Sequence, residues 1–302
     1  MAPSPFHPKA SRHARSISLP SRSHPLTLQV EEHLHSLRTS EATSSSLASS
    51  SSVCNNLGGL KVLYDIVNDL LHLPLTQQTL AQEQGEDWVD EVLDGSLRLL
   101  DMCGTTKDVL SQMKECVAYL QSSLRRIRGE SCLANEIEAY TLSRKKVTRG
   151  INKCLGDLRK LKKQHTFSSL LDKNHDIVAM VSVLREVESI TLSIFESQLL
   201  FVSGPKAVSR PNGWSFVSKL MNKKPVECNG KEMERCVFEK VDATIGTLLS
   251  HKTHNGLEFR HVEAQKQLET LELSIQYIEN GLECIFRSLI QTRVTLLNIF
   301  NQ

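Results

Sequence analysis

Residues 87–127 read DWVDEVLDGSLRLLDMCGTTKDVLSQMKECVAYLQSSLRRI, and the spacing of their apolar positions decides the fold class. Val89, Val92, Leu99, Cys103, Leu110, Met113, Val117, Leu120, Leu124 and Ile127 recur by steps of three and four, with Ser96 and Thr106 filling the two gaps in the series. Such spacing keeps one face of an α-helix apolar and is incompatible with the two-residue alternation of a half-buried strand. It predicts a helix of about forty residues, about 60 Å long. Gly95 and Gly104 are the places where that helix has room to bend or break.

Two further seams carry the same rhythm. One runs from Leu268 through Leu271, Ile275, Ile278, Leu282, Ile285 and Leu289 to Ile299. The other runs from Ile177 through Met180, Leu184, Val187, Thr191, Ile194 and Gln198 to Phe201. Sustained three-four spacing supports left-handed packing at shallow angles, within one chain or between chains. Flanking apolar residues such as Leu273, Tyr277, Phe286 and Ile290 widen the stripe beyond what a two-stranded seam uses, which favours an intramolecular bundle. A shorter helix is expected over Leu57–Leu73, stopped by Pro74, followed by another to about Gln84. No segment alternates with period two. The expected fold is all-α, an elongated bundle of long antiparallel helices over residues 54–302, interrupted by a Gly/Pro/Lys-rich connection at 203–231.

Composition agrees with this picture. A chain of 302 residues that is 40% hydrophobic and 23% charged has the means to bury one sizeable core, and a formal charge of +2 gives no electrostatic footprint for nucleic acid. Eight cysteines contain no CxxC pair and follow no secretory signal, so reduced thiols in a cytosolic setting are expected. No apolar run reaches the roughly 18 residues of a membrane span, because Glu196 interrupts 189–204 and Arg287 and Arg293 interrupt 282–300.

Residues 1–53 are different. Pro3, Pro5, Pro8, Pro20 and Pro25, several arginines and the serine tract near Ser44–Ser52 predict a disordered arm with one short amphipathic helix at Leu26–Leu37. No Asp or Glu precedes Glu31, so a phosphate on Ser18 meets no local acidic competitor. Arg15 three residues before Ser18 and Pro20 two after it match the spacing read by basophilic kinases and then by phosphoserine-binding grooves of the 14-3-3 type. The same acid-poor composition also fits a transit peptide, which leaves two addresses: cytoplasmic with peripheral membrane contact, or chloroplast or another organelle.

Two surfaces stand out in the body. The helix expected over Asn135–Gln164 carries Arg144, Lys145, Lys146, Arg149, Lys153, Arg159 and Lys160 beside the apolar stripe Val147, Ile151, Cys154, Leu155, Leu158 and Leu161. A basic amphipathic helix suits anionic lipid or an acidic partner, whereas the plainer reading is a solvated face or internal pairing with the acidic block Glu83–Asp94. The connection contains Trp214, Phe216, Val217, Lys219 and Leu220, which either present an interaction loop or fold back to cap the bundle. His251, His254 and His261 lack a patterned carboxylate or cysteine partner and read as ordinary surface histidines, with Asn255-Gly256 marking a turn. No GxGxxG, GxxxxGK[ST], GxSxG or HExxH occurs, so no catalytic residue, metal site or cofactor is assigned.

Several local strings together carry a resemblance. Phe6-His7, the run Arg15–Pro25, Leu60-Lys61-Val62-Leu63-Tyr64-Asp65, Asp87-Trp88-Val89-Asp90 and Gly213–Met221 are similar to the plant BYPASS-related family of helical proteins. The resemblance implies a plant protein without assigned enzymatic activity, whose relatives affect root and shoot development, one by restraining a root-derived mobile signal. It further implies membrane association for some relatives and vesicle-tethering partners for others. Two function classes follow: a non-enzymatic adaptor with a phosphorylatable arm, or an organelle-targeted protein with a small-molecule or catalytic site in the bundle core. The second class would need polar groups converging on the seams, where only Ser96, Thr106, Thr191, Thr292 and Gln198 depart from apolar character.

Overall fold

The computed structural model describes residues 24–44, 50–82, 86–126, 130–163, 175–204, 237–250 and 254–301. In chain order the helices are α1 (Pro25–Ser44), α2 (Ser50–Leu71), α3 (Pro74–Ala81), α4 (Asp87–Arg126), α5 (Glu130–Lys163), α6 (His175–Ser203), α7 (Val237–Ser250) and α8 (His254–Phe300). No strand occurs among the described residues, and the all-α expectation holds. The Ser18 motif, with Arg15 and Pro20, lies outside the described residues, as do Trp214, Phe216, Val217, Lys219 and Leu220.

The forty residues of α4 continue unbroken past both glycines. A mid-helix glycine costs only about 1 kcal/mol, which the buried seam from Trp88 to Leu124 offsets many times over. Asp87 and Asp90 in its first turn and Arg125 and Arg126 in its last match the helix dipole. The 47-residue α8 spans about 70 Å. It begins at His254, so the turn expected at Asn255-Gly256 is instead helix, its cost absorbed by the long seam that follows.

Side-chain pairs give the helix directions. Ser123 near the end of α4 donates to Glu136 near the start of α5 at 2.9 Å, and Lys114 and Arg125 of α4 pair with Glu279 at 2.9 Å and Glu269 at 3.4 Å of α8 in reverse order, so α5 and α8 both run antiparallel to α4. Thr292 donates to Asn68 at 2.9 Å, and α2 comes close to α8 at Gly281. A Cβ there would stand 2.7 Å from Leu57 Cδ1, so glycine is what lets these two helices close together. Leu57 and Asn68 of α2 meet Gly281 and Thr292 of α8 in the same order, so α2 runs parallel to α8. Helices α4 and α6, separated by α5, also run the same way, with Glu91 and Arg98 of α4 pairing in order with Arg185 at 2.6 Å and Glu188 at 3.2 Å of α6.

Helix α1 packs on the body. Val30, Leu34 and Leu37 are buried, Ser40 donates to Asn56 at 2.6 Å, and Arg38 pairs with Glu186 at 3.0 Å. The amphipathic segment at Leu26–Leu37 therefore extends to Ser44, and α2 begins inside the serine tract at Ser50. Composition averaged over the arm hides this, because Val30, Leu34 and Leu37, with the partly buried Leu26, suffice once α2 and α6 offer a surface to receive them.

Candidate functional site: the basic face of α5

Helix α5 lies against α4 and α6. Val147, Ile151, Cys154, Leu155 and Leu158 are buried, which turns Lys145, Lys146, Arg149, Lys153, Arg159 and Lys160 out to solvent. Among the described residues, Arg159 and Lys162 reach Glu196 at 3.5 and 2.5 Å, and Lys160 reaches Asp157 at 3.0 Å. No ion pair among the described residues involves Lys145, Lys146, Arg149 or Lys153. The acidic start of α4 is not their partner: Glu91 pairs with Arg185 of α6. The Ser123–Glu136 bond sets an antiparallel register that places Lys153 level with about Thr106, so Asp94 stands about 18 Å further along the axis.

Arg144 departs from the expected basic face. It is buried, and its Nη2 donates to the carbonyls of Val202 at 2.8 Å and Ser203 at 3.3 Å, the last turn of α6. Its guanidinium also stands 5.2 Å over the Phe238 ring and 3.7 Å from Asp242, both on α7. A cation at a helix C-terminus satisfies orphan carbonyls and the negative end of the dipole. Gly204 follows at φ 75°, the left-handed conformation that commonly ends a helix. Tyr140 donates to Asp242 at 3.3 Å, and burial, then the Asp242 charge, raises its hydroxyl pKa well above the phenol range. Arg144 thus ties α5 to the end of α6 and the start of α7, the two ends of the connection. The signal was present in the sequence: Ile137, Tyr140, Arg144, Val147 and Ile151 form one three-four series, with Arg144 inside it.

The seam exceptions converge elsewhere. Tyr64 bonds Thr191 at 3.0 Å in the interior, where burial raises the phenol pKa, and Arg293 donates to Ser96 at 2.7 Å and to the Leu93 carbonyl. Glu188, which the apolar series did not single out, lies over Gly95 and pairs with Arg98 at 3.2 Å. A Cβ on Gly95 would stand 2.8 Å from the Glu188 carboxylate, so the glycine makes its seat. Tyr64, Ser96, Thr292, Gly95 and Glu188 border a cavity of about 40 Å³. That is water-sized, far below the roughly 300 Å³ where small-molecule sites begin. Thr106 instead donates to Met102 within its own helix, and Gln198 is buried with no hydrogen-bond partner for its amide. No group of three or more His, Cys, Asp or Glu suited to a metal occurs among the described residues. His251 lies outside them, and the half-buried His261 Nε2 has no partner.

The sequence profile described as Protein BPS1 matches residues 56–299, from α2 through nearly all of α8. The chain belongs to the BPS1 family. This is the BYPASS family indicated by the local sequence strings. No curated protein and no solved structure matches the chain. The matched span contains the α5 face, the Arg144 joint and the Glu188 cavity, while α1 and the Ser18 arm precede it. BPS1 membership supports a plant developmental regulatory protein, and the BPS1 family is not a known enzyme family. No helix among the described residues is long and apolar enough to cross a membrane.

Proposed function

We propose that this BPS1-family chain is a non-enzymatic adaptor that receives an acidic protein surface on the outer face of α5, under control of its N-terminal arm. The observation that carries this reading is the set Lys145, Lys146, Arg149 and Lys153, exposed on a helix whose opposite face is buried. A packed helix holds these charges in place before a partner arrives, which lowers the ordering cost of binding. The water-sized cavity beside Glu188 and its helix-to-helix polar contacts favour an adaptor over a bundle-core catalyst. Phosphorylation of Ser18 between Arg15 and Pro20 would recruit a 14-3-3-type reader, and the Trp214–Leu220 segment would add a second contact, with vesicle-tethering components among the partners.

Proximity labelling in plant cells tests the reading. A copy carrying Lys145→Glu, Arg149→Glu and Lys153→Glu should lose a defined set of neighbours while keeping its thermal midpoint. An unchanged neighbour set would remove α5 as the docking face. Flotation with anionic vesicles at low and high salt separates a lipid surface from a protein one. A Ser18 phosphopeptide that binds a 14-3-3 protein no better than its unmodified form would remove the arm from the proposal.

A further inference from the structure

The outer faces of α4 and α5 carry matching charge repeats. On α4, Asp87, Asp94, Asp101, Asp108 and Glu115 recur every seven residues, and all five are exposed. On α5, Lys146, Lys153 and Lys160 recur at the same interval, also exposed. Glu115 and Lys146 line one open groove of about 340 Å³ between the two helices. Among the described residues the five carboxylates make no ion pair, and of the three lysines only Lys160 makes one, with Asp157 of its own helix. Three large apolar side chains interrupt the same surface: Leu97, Tyr119 and Leu142, 44%, 50% and 59% exposed.

We propose that the α4–α5 face docks a second copy of this chain, so that the acidic partner of α5 is the α4 stripe of its twin. The proposal rests on the adaptor reading for the role of α5 and adds the identity of the occupant. Its geometry follows from the antiparallel register. A two-fold axis parallel to the helices turns the partner face over without changing heights along the axis. The partner's α4 then lies on α5, and α5 of the partner on α4, as an isologous contact requires. Lys146 is level with about Met113, Lys153 with about Thr106 and Lys160 with about Leu99. Each lysine therefore falls between two carboxylates of the opposed stripe: Lys146 between the partner's Asp108 and the partner's Glu115, Lys153 between the partner's Asp101 and the partner's Asp108, and Lys160 between the partner's Asp94 and the partner's Asp101. All three share one offset because both stripes repeat every seven residues on helices of the same rise. Leu142 falls level with about Val117, within reach of the partner's Tyr119. A strict seven-residue repeat drifts by about 20° per heptad on a straight helix, and both stripes drift alike, so a shallow left-handed crossing keeps them matched.

Sedimentation equilibrium of the full chain at tens of micromolar tests this. At about 50 mM salt the average mass should climb from 33.9 kDa toward twice that value, and it should return to the monomer near 0.5 M, where charges are screened within a few ångströms. One variant carries Lys146→Glu, Lys153→Glu and Lys160→Glu; a second carries Asp101→Lys, Asp108→Lys and Glu115→Lys. Each alone should remain monomeric at low salt, and an equimolar mixture should recover the dimer. A wild-type monomer at every salt and concentration overturns the proposal, as does a dimer indifferent to salt, or a mixture that stays monomeric. The wild-type salt series decides the matter even where a variant fails to fold. A wild-type monomer whose α5 variant still loses its labelled neighbours removes the second copy and keeps the adaptor; a dimer with unchanged labelling does the reverse.

Discussion

Replacing Arg144 with methionine keeps the aliphatic stem and removes the guanidinium from the joint of α5, α6 and α7. Two hydrogen bonds from a charged donor are lost, to Val202 and Ser203. Such bonds are worth about 1.5–3 kcal/mol each at good geometry, and the longer one belongs at the low end. The stacking over Phe238 adds about 1 kcal/mol. Against this, Nε and Nη1 of Arg144 are buried without hydrogen-bond partners, so the variant recovers part of a desolvation cost. Asp242 is exposed and stays solvated after the loss. The balance is a destabilisation of about 2–3 kcal/mol, which in a domain of this size lowers Tm by about 5–10 °C. Differential scanning calorimetry with urea denaturation would measure it, with Arg149→Met as the control, an exposed position where a change within about 0.5 kcal/mol is expected. Arg144→Lys should recover part of the loss, because a point donor reaches one carbonyl and cannot stack as a plane. If Arg144→Met and Arg149→Met are equally mild, and the former instead removes labelled neighbours, Arg144 works at the surface and the joint is misread.

Gly281→Ala should destabilise by up to about 2 kcal/mol, since overpacking against Leu57 outweighs the helix-propensity gain. Gly104→Ala, with nothing within 4 Å of the new methyl, should stabilise by about 0.5–1 kcal/mol in the same urea titration. Glu41 accepts from Ser197 at 2.6 Å and from Asn56 at 2.5 Å, yet burial raises its carboxyl pKa above 4.5. Its contribution is fully present below pH 4.5 and is lost as pH rises through the raised folded value. The stability of wild type relative to Glu41→Gln should therefore fall from pH 4.5 upward, and a difference independent of pH would count against the buried charge. Burial pushes the Cys103 thiol up to about 12, whereas Cys284 is exposed. Maleimide mapping by mass spectrometry should find Cys284 modified in the native protein and Cys103 only at the rate of global unfolding.

The long helices were legible because their signal is local and repeated. Val89 through Leu124 states a helix face in every turn, and no glycine cost competes with that burial. Arg144 was legible in position and misread in role. Its place in the series with Tyr140 and Val147 pointed inward, yet an arginine is ordinarily solvated unless carbonyls and a ring are supplied, and those come from α6 and α7. Glu188 had no comparable signal, since only the approach of α4 at Gly95 makes a seat for it. The α4 and α5 charge repeats were present in the chain from the start, but their common offset became visible only with the antiparallel register.

That this chain is helical, where its long seams run and that it carries a basic helix are all written locally, because periodicity and charge are properties of residues a few positions apart. Which helices meet, that Arg144 turns inward while Lys146 and Lys153 turn out, and where α1 docks all depend on long-range packing. Every seam is written in the same apolar residues, so pattern alone cannot pair one with another. Close approaches such as Leu57 on Gly281, and polar matches such as Thr292 with Asn68, depend on residues more than two hundred positions apart and are settled only when the chain closes on itself.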